Sequence, residues 1–220
     1  MSDNIKLNGP EAEPASGGQA KQLIVFVHGY GADGNDLISL SSQFSQVAPE
    51  AAFFSPNAPF SCEGSPFGYQ WYDVWMQDGE KRLSAIRSTA AIFDDFISEQ
   101  LKRRNLEAKD LLLIGFSQGT MISLHAAPRR LQPIAGIIGY SGRMEAPELL
   151  KDEICSKPPV ILIHGDSDEL LAVSEMETAA EALRENGVVT EAHIRPNLGH
   201  GIDEEGIKLG LDFVKRVLIN

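Results

Sequence analysis

The chain has 220 residues, 43% apolar and 23% charged, with a formal net charge of -12. That length suits one α/β domain with a full core, and the acidity argues against a nucleic-acid surface, which needs clustered basic residues. No apolar segment approaches the ~20 residues that cross a bilayer, and stable membrane insertion is not expected.

Residues 1–20 are rich in Gly, Pro, Ala and Ser and read as a loosely ordered tail, or at most a short edge hairpin. They carry no basic n-region and no apolar h-region, so they are not a secretory signal. Cys62 and Cys155 lie far apart without a metal-type spacing. They read as free thiols in a reducing compartment, and the expected location is the cytoplasm.

The domain proper is expected over residues 21–220. Gln22-Leu-Ile-Val-Phe-Val-His28 is a near-continuous apolar run, the mark of a strand buried on both faces. It leads into a glycine-dense loop, His28-Gly29-Tyr30-Gly31. A helix is predicted over residues 36–47, with Leu37, Leu40, Phe44 and Val47 on one face, and a short strand over 51–55.

Residues 56–77 form a long irregular stretch holding Phe60, Phe67, Tyr69, Trp71, Tyr72 and Trp75, among them both tryptophans of the chain. It is too aromatic to be disordered. It either packs over the core or forms a lid or wall for an apolar substrate.

A long helix follows over residues 82–104, ending in Lys102-Arg103-Arg104, where cations complement the helix macrodipole. Strands are predicted from residue 111, over 134–140 and over 160–164. A short helix and connector occupy 147–157, a longer helix 174–185. A strand over 190–195 and a closing helix over 203–219 complete the chain. Strands alternate with helices throughout, so the fold class is α/β, a mostly parallel central sheet with helices on both faces. In such sheets the working loops lie past the carboxyl ends of the strands.

One such loop carries Gly115-Phe-Ser-Gln-Gly119. An apolar strand enters it and a helical segment leaves it, which is the strand-turn-helix context of a nucleophile elbow. A serine there stands clear of its strand, and the positions two before and two after it must be nearly free of side chain. A serine hydroxyl also needs a base, and the base needs an acid to fix its tautomer. On the α/β-hydrolase fold these follow in the order Ser, Asp or Glu, His. Ser117, then Asp166 or Asp168, then His200 satisfy that order, and spacing does not separate the two aspartates. Of the five histidines, His28 and His164 precede the acid and read as turn braces, His125 lies in the helix after Ser117, and His193 is inside a strand. His200 alone sits in a glycine-flanked loop after the last strand. The oxyanion-binding amides are expected at Gln118 and in the early glycine-rich loop, at Tyr30 or Gly31. This chemistry calls for no metal and no organic cofactor.

The set Phe26-Val-His-Gly-Tyr-Gly-Ala-Asp33, Gly115-Phe-Ser-Gln-Gly119, Ile163-His-Gly-Asp-Ser-Asp168 and Gly199-His-Gly201 resembles the phospholipase/carboxylesterase family that includes the acyl-protein thioesterases. The likeness runs from about residue 21 to the C-terminus. It implies an α/β-hydrolase fold and a serine esterase acting on small-molecule esters or acyl thioesters. It also implies Ser117 as nucleophile, Asp168 as acid, His200 as base, and Tyr30 and Gln118 as oxyanion donors. The loop before Trp71-Tyr72-Asp73 then borders the acyl pocket, which makes Phe67, Trp71, Tyr72 and Leu171 the pocket candidates. Two departures bear on substrate choice. Glu169-Leu-Leu-Ala-Val173 stands where the family often begins with proline, and Tyr30 stands where relatives often have a smaller aliphatic residue. The rival expectation is a binding protein on the same fold with little turnover. An apolar surface near the aromatic loop is the candidate face for a homodimer.

Overall fold

The computed structural model describes residues 5–62 and 67–219. In chain order the elements are β1 (Glu11–Ala12), β2 (Gln22–Val27), α1 (Gly34–Ile38), α2 (Ser41–Phe44), β3 (Ala51–Phe54), β4 (Phe60–Ser61), β5 (Tyr69–Gln70) and α3 (Gly79–Arg104). They continue with β6 (Leu111–Phe116), α4 (Gln118–Ala126), β7 (Gly136–Tyr140), α5 (Leu150–Glu153), β8 (Val160–Gly165), α6 (Val173–Glu185), β9 (Thr190–Arg195) and α7 (Glu204–Val214). Seven strands form one sheet in the order β1-β3-β2-β6-β7-β8-β9. Every neighbouring pair is parallel except β1 with β3.

The continuous apolar runs predicted a sheet covered on both sides, and successive residues divide cleanly between two cores. Leu23, Val25 and Val27 of β2, with Leu111 and Leu113 of β6, pack against α3, α4 and α6. Ile24 and Phe26, with Leu112 and Ile114, face α1, α2 and α7 through Leu37, Phe44, Phe213 and Val214. This is the period-2 alternation of a strand, hidden in the sequence because both faces are apolar.

Two expectations differ from the fold. The helix over residues 36–47 is two short helices. Serines crowd the break, and Ser42 and Ser45 donate to the carbonyls of Ser39 (3.0 Å) and Ser42 (3.1 Å). Such local bonds compete with a continuous helix. The loose tail is also not what residues 7–14 adopt. β1 pairs with β3, the Ser55 and Asn57 amides donate to the Pro10 and Asn8 carbonyls (3.0 and 2.7 Å), and Glu11 is held by Arg103 and Arg104. The basic end of α3 thus does more than complement its dipole: it anchors this strand. A two-residue strand is too short to show a periodicity.

His125 is 2% exposed in α4, and its Nδ1 has no partner among the described residues. Burial, then the Arg129 charge, pushes its pKa from 6.5 down to about 4. The unfolded chain takes up a proton there before the native one does. Stability is therefore complete above about pH 6.5 and falls as the pH drops toward 4, by roughly 3 kcal/mol. Urea midpoints taken between those two values should fall for the native sequence and stay flatter for His125→Leu. Equal pH slopes for the two proteins would refute this.

Candidate active site

β6 delivers the chain to Ser117, which takes the unusual backbone angles φ 52° and ψ -116°. The turn is held by the Ser117 amide donating to the Tyr140 carbonyl (2.9 Å) on neighbouring β7. Both flanking glycines are forced by contact. A Cβ at Gly115 would stand 2.6 Å from the Thr120 nitrogen, and one at Gly119 only 1.8 Å from the Val27 carbonyl oxygen. The strain at a non-glycine residue is therefore imposed by backbone packed tightly on every side.

Two further loops converge on this turn. β8 ends in the aspartate pair, which the structure separates. Asp166 accepts from the Asn197 amide and the Ser167 hydroxyl, both at 2.8 Å, and so ties its own loop to the one after β9. Asp168 accepts from His200 Nδ1 at 2.7 Å through Oδ2. Its Oδ1 accepts from the Leu170 and Leu171 amides, each at 2.9 Å. Burial opposes ionisation of Asp168, but the Leu171 amide, His200 and the Leu170 amide outweigh it and hold the carboxyl below its usual value. The His200 loop is fixed independently. Ser141 Oγ donates to the Gly201 carbonyl (3.2 Å), the Ser167 amide donates to the Leu198 carbonyl (3.0 Å), and a Cβ on Gly165 would meet that same carbonyl at 2.0 Å.

His28 and His164 hold their own loops. His28 Nδ1–H donates to the Gly29 carbonyl (2.7 Å) while Nε2 accepts from the Ala58 amide (3.0 Å). Burial lowers its pKa, so it stays neutral. His164 braces its own loop through the ring. Its buried Nε2 lies 2.9 Å from the Leu171 carbonyl and 3.1 Å from Asp168 Oδ2. Nε2–H donates to that carbonyl, which places the ring beside the oxygen that receives His200.

Ser117 and His200 share one cavity of about 280 Å³, lined also by Gly29, Tyr30, Gln118, Val74, Trp75, Phe116, Met121, Arg143, Leu170 and Leu171. The Phe116 ring lies 5.1 Å from the His200 ring. Tyr30 and Gln118 line it together, and among the described residues their amides donate to no backbone acceptor. A larger surface groove at Arg87, Asp94 and Arg130 holds arginines already paired with Glu153 and Asp94. Among the described residues no group of His, Cys, Asp and Glu could hold a metal ion, and no helix is long and apolar enough to cross a membrane.

The profile of the phospholipase/carboxylesterase family matches residues 11–218. The chain belongs to that family. It is a carboxylic ester hydrolase of the α/β-hydrolase fold. The crystal structure of esterase PE8 superposes with a TM-score of 0.92 at 39% identity, covering 97% of this chain and all of that one. Arabidopsis thaliana SOBER1 superposes with a TM-score of 0.76 at 25% identity, over 90% of this chain. Among curated proteins, esterase YpfH of Escherichia coli K12 is 26% identical over 89% of this chain and 83% of its own length. An acyl-protein thioesterase 1 homolog of Dictyostelium discoideum is 24% identical over 89% and 90%.

Against the pocket that the phospholipase/carboxylesterase resemblance implied, the aromatic loop is arranged differently. Leu171 lines the cavity. Trp71 and Tyr72 do not: they are 0% and 2% exposed and lie beneath it. Phe67 is 87% exposed and also outside it. The reason is that Trp71 is a strut. Its indole N–H donates to the His28 carbonyl (3.0 Å), its amide donates to Gln118 Oε1 (2.9 Å), and its carbonyl accepts from Thr89 of α3 (2.7 Å). Gln118 Nε2 in turn donates to the Tyr72 carbonyl (2.6 Å). One buried segment thereby locks the two loops that carry Tyr30 and Gln118. The wall is made instead by Val74 and by Trp75, whose ring meets that of Tyr30 edge-on at 6.2 Å. Tyr30 and the leucines after Asp168, Leu170 and Leu171, complete the lining.

Proposed function

We propose that the chain hydrolyses small carboxylic esters through Ser117, His200 and Asp168 by way of an acyl-enzyme. The observation that carries this reading is the His200 Nδ1–H bond to buried Asp168 in a ring that borders the same cavity as Ser117. With Nδ1 holding the proton, Nε2 is the free base. His200 takes the Ser117 proton as Oγ attacks the acyl carbonyl. The Tyr30 and Gln118 amides receive the negative charge that forms on the carbonyl oxygen. His200 then protonates the departing alcohol or thiol, and the same ring activates water to release the acid.

The cavity favours small acyl groups, since about 280 Å³ lies at the low end of ligand pockets. Hydrolysis of a p-nitrophenyl ester series from acetate to palmitate tests this. Activity should peak at short chains and fall by about tenfold or more at the long end, since each methylene a pocket cannot seat forfeits on the order of 1 kcal/mol. A maximum at palmitate would refute the small-acyl reading. No hydrolysis of any ester by folded protein would leave a ligand-binding role.

A further inference from the structure

We propose that Arg143 gives the cavity a seat for an oxyanion, so that its preferred substrates are esters carrying a second, anionic group. This rests on the esterase reading above and names its substrate class. Apart from the reacting residues, the cavity wall is largely apolar, with Val74, Trp75, Met121, Leu170 and Leu171. A guanidinium in such a wall demands an explanation, because a partly desolvated cation is costly unless it is paired. The Arg143 side chain is only 22% exposed.

The pairing it has is incomplete. Arg143 Nε and Nη2 donate to Glu145 Oε1 at 3.1 and 2.7 Å. Glu145 is buried, and its Oε2 accepts from Arg82 Nε at 3.1 Å. One carboxylate is thus shared by two guanidiniums, and the cluster keeps one positive charge. Glu175 on α6 also acts on Arg143 through its charge but forms no ion pair with it among the described residues. The Nη1 group of Arg143 has no acceptor among the described residues. Arg82 differs: its Nη1 donates to the Met76 carbonyl (2.8 Å).

Glu145 therefore does two things. It lowers the cost of holding Arg143 in the wall, and it fixes the plane of the guanidinium through one edge. The remaining N–H donors are left for a ligand. A planar, oriented guanidinium with a free edge suits a carboxylate or a phosphate. The chain as a whole carries -12 and repels anions at long range. Any preference for an anionic ester must then arise locally, at this residue.

The test uses two substrate pairs that share a reacting bond and differ in charge, followed by pH-stat. The first is monomethyl glutarate with methyl hexanoate. The second is 1-butyrylglycerol 3-phosphate with 1-butyrylglycerol. The native protein should favour the anionic member of at least one pair in kcat/KM. Preference in the first pair assigns the seat to a carboxylate, and in the second to a phosphate. Arg143→Met should lower that charge preference by about ten- to a hundredfold, the worth of a charge-assisted hydrogen bond. If that variant does not fold, Arg143→Lys reads the same ratio, since it keeps a cation for Glu145 and loses the planar fork. Native protein that hydrolyses the neutral esters equally well or better overturns the proposal and leaves the esterase reading standing. So does a charge preference that survives in folded Arg143→Met. Hydrolysis of neither member of either pair would instead overturn the esterase reading itself.

Discussion

Ser117→Ala should lower kcat on a short p-nitrophenyl ester by about 10⁴-fold or more while leaving the fold intact. The two halves of that expectation have separate grounds. Activity should collapse because, among the described residues, no other serine or threonine lines the cavity. Ser141 lies near the His200 loop, but its side chain is held on the Gly201 carbonyl. What remains would come from oriented amides acting on water, which still exceeds the uncatalysed rate in triad enzymes. The fold should persist because alanine keeps the same Cβ at the same strained φ of 52°. The close approaches at Gly115 and Gly119 involve backbone, not the serine side chain. The Ser117 hydroxyl also makes no side-chain bond that caps α4. Thermal melts should thus nearly superpose while turnover is lost and a fluorophosphonate probe no longer labels the protein. Retention of more than about one hundredth of the native rate would remove Ser117 from the mechanism, because loss of a covalent nucleophile costs far more than that.

What the sequence reveals of this site depends on how local each constraint is. Gly115 and Gly119 are legible because the crowding at an elbow arises within a few residues and from the strand beside it. The Ser, Asp, His order is legible because each residue sits just past a strand. Asp166 and Asp168 are not separable in that way. Both lie in one turn, and only the return of the chain after β9 decides which meets His200 and which meets the Asn197 amide. Trp71 and Tyr72 show the opposite failure. Aromatic richness marks the buried Trp71 and Tyr72 and the exposed Phe67 and Trp75 alike, and hydrophobicity does not say which side of a cavity a ring lies on. The usable clue was Gln118, a polar side chain destined for burial beside the nucleophile. A buried amide must find partners, and it finds the Trp71 amide and the Tyr72 carbonyl.

Asp168→Asn should cost nearly as much as loss of the nucleophile, about 10⁴-fold in kcat with KM little changed. Three donors surround the carboxylate: His200 Nδ1 on Oδ2, and the Leu170 and Leu171 amides on Oδ1. An asparagine offers one oxygen and one NH₂ group, so some donor must meet a donor. If the oxygen keeps the two amides, the NH₂ faces His200. The ring then turns or shifts its proton to Nε2, and Nε2 can no longer accept the Ser117 proton. If the oxygen keeps His200, the NH₂ opposes the Leu170 and Leu171 amides and the loop bearing two cavity residues is displaced. Neither arrangement leaves both the base and the wall in place. Asp166→Asn is the paired control. Asp166 Oδ1 accepts from the Asn197 amide and the Ser167 hydroxyl, and an asparagine oxygen can serve both, so its loss should stay below about tenfold, the scale of neutral hydrogen bonds. Steady-state kinetics of the two variants side by side decide the matter. A severe loss at Asp166 with activity retained at Asp168 would transfer the acid's role to the other aspartate. Equal, mild losses at both would mean that His200 works without a carboxylate. The folded-state donors also contribute to stability against acid. They hold the Asp168 carboxyl below its ordinary value, so its share of stability is present above the unfolded carboxylate range and disappears as the pH falls through the native value. Asp168→Asn should remove that share at neutral pH and leave a shallower loss on acidification, a difference that denaturant midpoints across the acid range would register.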